Sequence, residues 1–180
     1  LHETLLDHLR TYLMVGGMPA AVRSWCESRS WSEVQQVQRD LVATFRDDFA
    51  KYRRRVNPDD LRHVFDAFPR LVGRKFVAAQ VDRERRASPL KDAFDLLCLA
   101  RVATPVRRSA SSGVPLGAQV HEDYSKVCLL DVGLYTAMCG LGALDVQLGS
   151  DLTLVNEGQL AEQYVGQELR AARPAHQAPG

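Results

Sequence analysis

Nowhere do the 180 residues sustain the roughly 20 consecutive apolar positions that a helix needs to cross a bilayer. No basic-then-apolar segment opens the chain as a secretion signal does. A membrane partner is therefore not expected. An excess of one charge is missing too: 23 lysines and arginines stand against 22 aspartates and glutamates, a formal net charge of +1. Nothing global advertises a nucleic acid or an anionic surface, so any electrostatic footprint must be local. Only four cysteines occur, Cys26, Cys98, Cys128 and Cys139, and no two form a Cys-x-x-Cys pair. They read as small buried residues of a protein in a reducing cytoplasm. The histidines, His2, His8, His63, His121 and His176, lack His-x-x-x-His or Cys/His spacing, which argues against a zinc site. No Gly-x-Ser-x-Gly nucleophile elbow is present.

A phosphate-binding loop is also absent. Such a loop needs Gly-x-x-x-x-Gly-Lys-Ser/Thr between a strand and a helix, so that backbone N–H groups and a lysine meet the phosphates. The sequence offers Gly16-Gly17-Met18-Pro19, with no lysine or hydroxyl, after a helical stretch. It reads as a joint between two helices, with Pro19 in the first turn of the second, where a missing N–H costs nothing.

What is present is mostly helical periodicity. Leu5, Leu6, Leu9, Tyr12 and Leu13 share one face over residues 1–15. Leu1 already stands in register without a cap, which predicts that the natural element or a preceding domain begins upstream. A second helix runs from Pro19 to about Ser28. Ser30 and Glu33 have capping-box spacing ahead of a long helix to about Arg54, with the stripe Val34, Val37, Leu41, Phe45, Phe49 and Tyr52. Asn57-Pro58-Asp59-Asp60 starts another, with Leu61, Val64, Phe65 and Phe68 facing inward. KFVAAQV is a short strand or an anchored turn, and Ser88-Pro89 caps a buried helix over 89–101. VATPVRR and KVCLLDV read as strands joined by a Ser/Gly/Pro-rich connection. A short helix over 132–140 and a last one opening at Asn156, with Leu160, Ala161, Tyr164, Val165 and Leu169, complete the pattern. The order is that of a mainly α, α+β chain: a helical hairpin followed by a winged-helix-like domain.

Few side chains gather as chemistry requires. Asp47 and Asp48 are adjacent on a helix and point about 100° apart, the arrangement of solvated ion-pairing groups. Glu162 and Glu168 lie six apart on the last helix and do not converge on one ion. The basic run Arg70, Arg74, Lys75, Arg83, Arg85 and Arg86 is the place where a DNA backbone would be held. The helix after it carries Lys91 against Asp92 and Asp95, poor material for a groove-reading helix.

Five segments in order, YLMVGGMPAAV, RDLVATFRDDFAKY, LRHVFDAFPRLVGRKF, KVCLLDVGLYTAM and EGQLAEQYVGQEL, resemble the family known as domain of unknown function 4143, over Tyr12 to Leu169. That family forms the C-terminal region of bacterial and archaeal AAA-type ATP-binding proteins. The resemblance implies three segments: residues 1–28 as the end of an ATPase lid region, 29–150 as a helical, winged-helix-like middle, and 151–180 as the start of a truncated restriction-endonuclease-like core. It implies ATP and Mg in a preceding ATPase and no cofactor or metal within this chain. Gly158 and Glu162 match the first helix of the nuclease-like core, so Glu162 would be catalytic only in a longer protein.

Three expectations follow. The first is a non-catalytic coupling and interaction module between an ATPase and an effector domain, whose partners are that ATPase and, for the apolar stripe of the last helix, a second copy of the chain. The second is a winged-helix module that binds DNA through Arg74, Lys75, Arg83, Arg85 and Arg86. The third is part of a metal-dependent nuclease.

Overall fold

The computed structural model describes residues 1–109, 120–142 and 158–172. They are mainly helical, with eight α-helices and a small two-stranded antiparallel sheet among them. The chain divides into two compact units, residues 1–48 with 129–180, and residues 49–128, so the second interrupts the first. This division differs from the three consecutive segments implied by the resemblance.

Unit 1 begins with helices α1 (His2–Val15), α2 (Pro19–Ser28) and α3 (Trp31–Asp48). Its remaining described helices are α7 (Val132–Met138) and a last helix, α8 (Gln159–Ala171). The joint between α1 and α2 forms as the sequence suggests, with Pro19 in the first turn of α2. Val15, Ala21 and Val34 make a core with Met18, Trp25, Trp31 and Val37 packed on it. The α2–α3 corner is closed by a tilted Trp25–Trp31 pair, ring centroids 4.1 Å apart, with the Arg29 guanidinium 5.5 Å from the centre of the Trp25 ring. Such aromatic pairs contribute about 1 kcal/mol beyond their burial. The expected capping box is half made: the Glu33 N–H reaches Ser30 Oγ at 3.5 Å, while the Ser30 N–H donates to Ser28 Oγ instead.

The inward face of α3 is rotated from the expected stripe. Val34, Gln38 and Val42 are buried, Val37, Leu41 and Phe45 flank them half-buried, and Tyr52 lies exposed. A glutamine at the centre of an apolar stripe is invisible to a hydrophobic-periodicity argument, because its burial depends on partners from another segment. The same displacement occurs in α8. Gln159 and Gln163 are buried and Gln167 half-buried, at i, i+4 and i+8, whereas Val165 and Leu169 of the predicted stripe are exposed. Asn156, predicted to open this helix, lies outside the described residues.

Unit 2 opens with a 3₁₀ turn (Phe49–Tyr52), followed by helices α4 (Pro58–Leu71), α5 (Ala78–Val81) and α6 (Ala87–Leu99), then strands β1 (Ala103–Ser109) and β2 (Val120–Leu129). Asn57 caps α4 as predicted, its side chain accepting from the Asp59 N–H at 3.0 Å. The inward residues of α4 are those expected, with Leu61, Val64, Phe65 and Phe68 each at most 1% exposed. Phe49, Phe65 and Phe68 stack edge to face through the core, and Phe76 lies parallel to Phe94 at 4.0 Å. Between α4 and α5 the chain runs beside β2: Gly73 N–H donates to Val127 O and Phe76 N–H to Ser125 O, both at 2.9 Å. KFVAAQV is thus a short bridge followed by one turn of helix. Helix α6 starts at Ala87 without a side-chain cap, so Ser88 and Pro89 fall inside its first turn and do not cap it. Strand β2 ends at Leu129 and Asp131 caps α7, which shortens the KVCLLDV strand expectation.

Candidate functional site

The five basic residues singled out from sequence all lie in unit 2. Arg74 and Lys75 are exposed on the bridge beside β2, and Arg83 and Arg86 are exposed between α5 and α6. Arg85 differs. It is half-buried, pairs with the carboxylate of Asp60, and reaches Asp82 at 3.5 Å. Asp60 is itself 7% exposed, so this ion pair fastens the α5–α6 connection to α4 and is not available to a ligand. Arg70 is similarly engaged, donating to Gln80 O at 3.0 Å and Val81 O at 2.7 Å. Helix α6 turns Lys91, Asp92 and Asp95 to solvent together with Leu99, which is 71% exposed; Val106 on the following strand is 45% exposed. Structural duties and carboxylates therefore dilute the basic surface read from sequence.

In unit 1 polar chemistry converges at the joint between α1 and α2. Gly17 N–H donates to Asp131 Oδ2 at 2.7 Å and Leu134 N–H to Asp131 Oδ1 at 3.0 Å, with the Gly133 amide a third donor. Asp131 is 3% exposed. Burial pushes its carboxyl above the ordinary 3.8, against the three amides, which pull it down. The double glycine thus does meet an anion, but the anion is a carboxylate of the same chain. Close approach explains the glycines: a Cβ at Gly133 would stand 2.5 Å from Val15 O and 2.7 Å from Gln38 Nε2.

Around this centre the glutamines act as backbone substitutes. Gln38 Nε2 donates to the carbonyls of Met14 at 2.8 Å and Val15 at 3.1 Å, satisfying the orphan acceptors at the end of α1. Gln163 takes the Leu129 N–H at 2.7 Å and donates to Leu129 O at 3.0 Å, as a paired strand would. Gln167 accepts from Val132 N–H at 2.7 Å and donates to Tyr12 Oη at 2.7 Å. The Tyr12 hydroxyl in turn donates to Glu168 Oε1 at 2.9 Å.

Burial, then the Glu168 carboxylate, pushes the Tyr12 phenol up from 10.0 to about 12. A phenol held protonated in the folded state stabilises it fully below the unfolded value. That contribution is lost as pH rises through the folded value. Tyr12→Phe is therefore expected to lose less melting temperature than the parent between pH 10.0 and about 12. Thermal melts across that window check this, and parallel curves for the two proteins would refute it.

Glu162, the candidate nuclease residue, is exposed on the first turn of α8, while Glu168 faces Tyr12. Among the described residues no group of three or more His, Cys, Asp or Glu side chains is arranged to hold a metal ion. Of the four cysteines expected to be buried, only Cys128 is; Cys98 and Cys139 are half-buried and Cys26 is exposed. Burial pushes the Cys98 thiol to about 12. Among the described residues no helix is long and apolar enough to cross a membrane.

These features define a mainly helical protein with a small antiparallel sheet, in which Gln38, Asp131, Thr136 and Gln163 are buried polar side chains bound to the chain's own backbone. The chain belongs to the family described as domain of unknown function (DUF8612), whose model matches residues 6–145. This corrects the resemblance to domain of unknown function 4143: the assignment is neither to that family nor to a C-terminal family of AAA ATPases. Most of the length of the segments behind the resemblance is helix joint and amphipathic helix face, a pattern that common packing demands produce in helical proteins. The preceding ATPase, with its ATP and Mg, loses the ground on which it was inferred. No curated protein and no solved structure matches the chain.

Proposed function

We propose that the chain is a non-catalytic interaction module whose unit 2 is a winged-helix-like domain that docks a polypeptide, not duplex DNA, through α6 and β1. The observation that carries the non-catalytic part is that the polar side chains gathered at the α1–α2 joint of unit 1 are engaged by partners within the chain. Asp131 is engaged by three amides, Gln38 and Gln163 each make two hydrogen bonds to backbone, and Tyr12 is bonded on both sides. A catalytic acid or base needs a free hydrogen-bonding position directed at substrate.

The winged-helix-like reading rests on order and pairing. Helix α4, the bridge beside β2, helices α5 and α6, and the two antiparallel strands follow in the sequence typical of that domain. In a DNA-binding version the helix in the position of α6 enters the groove and meets phosphate. Here it presents one lysine against two aspartates, with exposed Leu99 at its end and exposed Val106 on the adjoining strand. Carboxylates repel the duplex backbone, and exposed apolar side chains suit a protein surface.

Amide hydrogen exchange with and without a duplex tests the reading. No duplex-dependent protection is expected across Ala87–Leu99, and Lys91→Ala should leave any duplex affinity within about twofold. Protection of α6 by duplex would overturn it.

A further inference from the structure

The turn between the 3₁₀ segment and α4 carries Tyr52-Arg53-Arg54-Arg55, a basic run outside the surface inferred from sequence. All four residues are exposed, Tyr52 by 39%. Two backbone hydrogen bonds fix the turn. Tyr52 O accepts from the Arg55 N–H at 2.8 Å and from the Val56 N–H at 3.2 Å. Just beyond, Asn57 caps α4 and Pro58 occupies its first turn. The three guanidinium groups therefore extend from a short backbone arc held at both ends.

Among the described residues no side chain pairs with them. Arg53, Arg54 and Arg55 make no ion pair among the described residues. The carboxylates that follow are committed elsewhere, Asp59 to Arg62 at 3.4 Å and Asp60 to Arg85. Three adjacent side chains with five donors each and no partner among the described residues form a dense site for phosphate oxygens. The exposed Tyr52 ring beside them adds a flat surface on which an unpaired base can stack. An anionic membrane fits less well, because a surface-seeking segment also needs an apolar face and this turn has only the Tyr52 ring.

We infer that the Tyr52–Arg55 turn binds single-stranded nucleic acid, its arginines on successive phosphates and Tyr52 against a base. This goes beyond the docking of a polypeptide by α6, and its site shares no residue with α6.

The probe is a fluorescently labelled oligo-thymidine of roughly 15 nucleotides, titrated with the full chain at several salt concentrations. A duplex of equal length and vesicles containing an anionic phospholipid serve as comparisons. Replacing Arg53, Arg54 and Arg55 together by alanine should weaken binding at least about tenfold at low salt. It should also reduce the slope of log affinity against log salt by about 2, the value for three phosphate contacts on a single strand. Tyr52→Leu should cost about fivefold or more on the single strand and leave duplex affinity unchanged.

All four side chains are exposed, so circular dichroism and melting temperature should match the parent and separate a binding loss from misfolding. Four results would overturn the inference: no salt-dependent oligonucleotide binding by the parent, an unaltered slope in the triple variant, an equal loss on duplex for Tyr52→Leu, or variant-sensitive binding to the vesicles alone. None of these bears on the exchange behaviour of α6, so the two readings fail separately.

Discussion

Gly16→Ala is expected to destabilise unit 1 by about 3 kcal/mol or more, enough to leave a large fraction of the chain unfolded at moderate temperature. Two costs combine. The Gly16 backbone has φ 71° and ψ −163°, a region that only glycine occupies without strain, and forcing a side chain there costs on the order of 1–3 kcal/mol. The added Cβ would also stand 2.7 Å from Gly133 N and 2.8 Å from its Cα, and closer still to Asp131 Oδ1. Two of those atoms are backbone and the third belongs to a carboxylate held by three amides, so none can withdraw cheaply. Gly17 is the internal control. A Cβ there meets only Asp131 Oδ2 at 3.5 Å and Tyr12 Oη at 3.8 Å, ordinary contact distances. Thermal or urea unfolding of the two alanine variants should therefore separate widely, and similar midpoints would disprove the account.

The contrast between those neighbouring glycines marks what the sequence discloses. That Gly16-Gly17 joins two helices follows from local chemistry: the spacing of Leu9, Tyr12 and Leu13 before it, Pro19 after it, and no lysine to meet a phosphate. The element order of unit 2 was legible for the same reason. Asn57 and Pro58 signal a helix start, Leu61, Val64, Phe65 and Phe68 recur at helical spacing, and β-branched residues flank the loop between the strands. Which glycine is indispensable depends on Asp131, more than a hundred residues away in the chain, and no local rule reaches that far.

The glutamines were missed on similar grounds. Gln38, Gln159 and Gln163 count as polar in any periodicity argument, so periodicity predicts inward faces for α3 and α8 that are rotated away from the ones they use. Their i, i+4, i+8 spacing along α8 was nevertheless available as a signal. A regular row of long neutral amides on a helix matches the donor and acceptor pattern of a backbone, and can replace a strand or cap lying across it. Charge told a similar story in unit 2. Arg85 resembles its exposed neighbours in sequence, and only the fold shows it spent on Asp60, while Arg53, Arg54 and Arg55 remain outside the ion pairs of the described residues.

Asp131→Ala should be the second severe variant, at about 3 kcal/mol or more, because the amides of Gly17, Gly133 and Leu134 would lose their acceptor inside a water-excluded joint. Asp131→Asn keeps one acceptor oxygen but turns an amide donor toward one of those N–H groups, so an intermediate loss of about 1–3 kcal/mol is expected. The pH dependence has a definite sign. Burial places the folded carboxyl above its unfolded value, so the folded state holds this proton more readily. The corresponding stability is fully present below the ordinary 3.8 and is lost as pH rises through the folded value. In Asp131→Asn that segment of the stability profile should be flat, and an unchanged slope would show that another group is responsible. Combining Gly16→Ala with Asp131→Ala probes the joint itself. Removing the carboxylate clears the atom nearest the new Cβ, so the double variant should lose less than the sum of the singles, by about 0.5–3 kcal/mol. Strict additivity would mean that the Gly133 backbone, and not the carboxylate, sets the cost of a side chain at position 16.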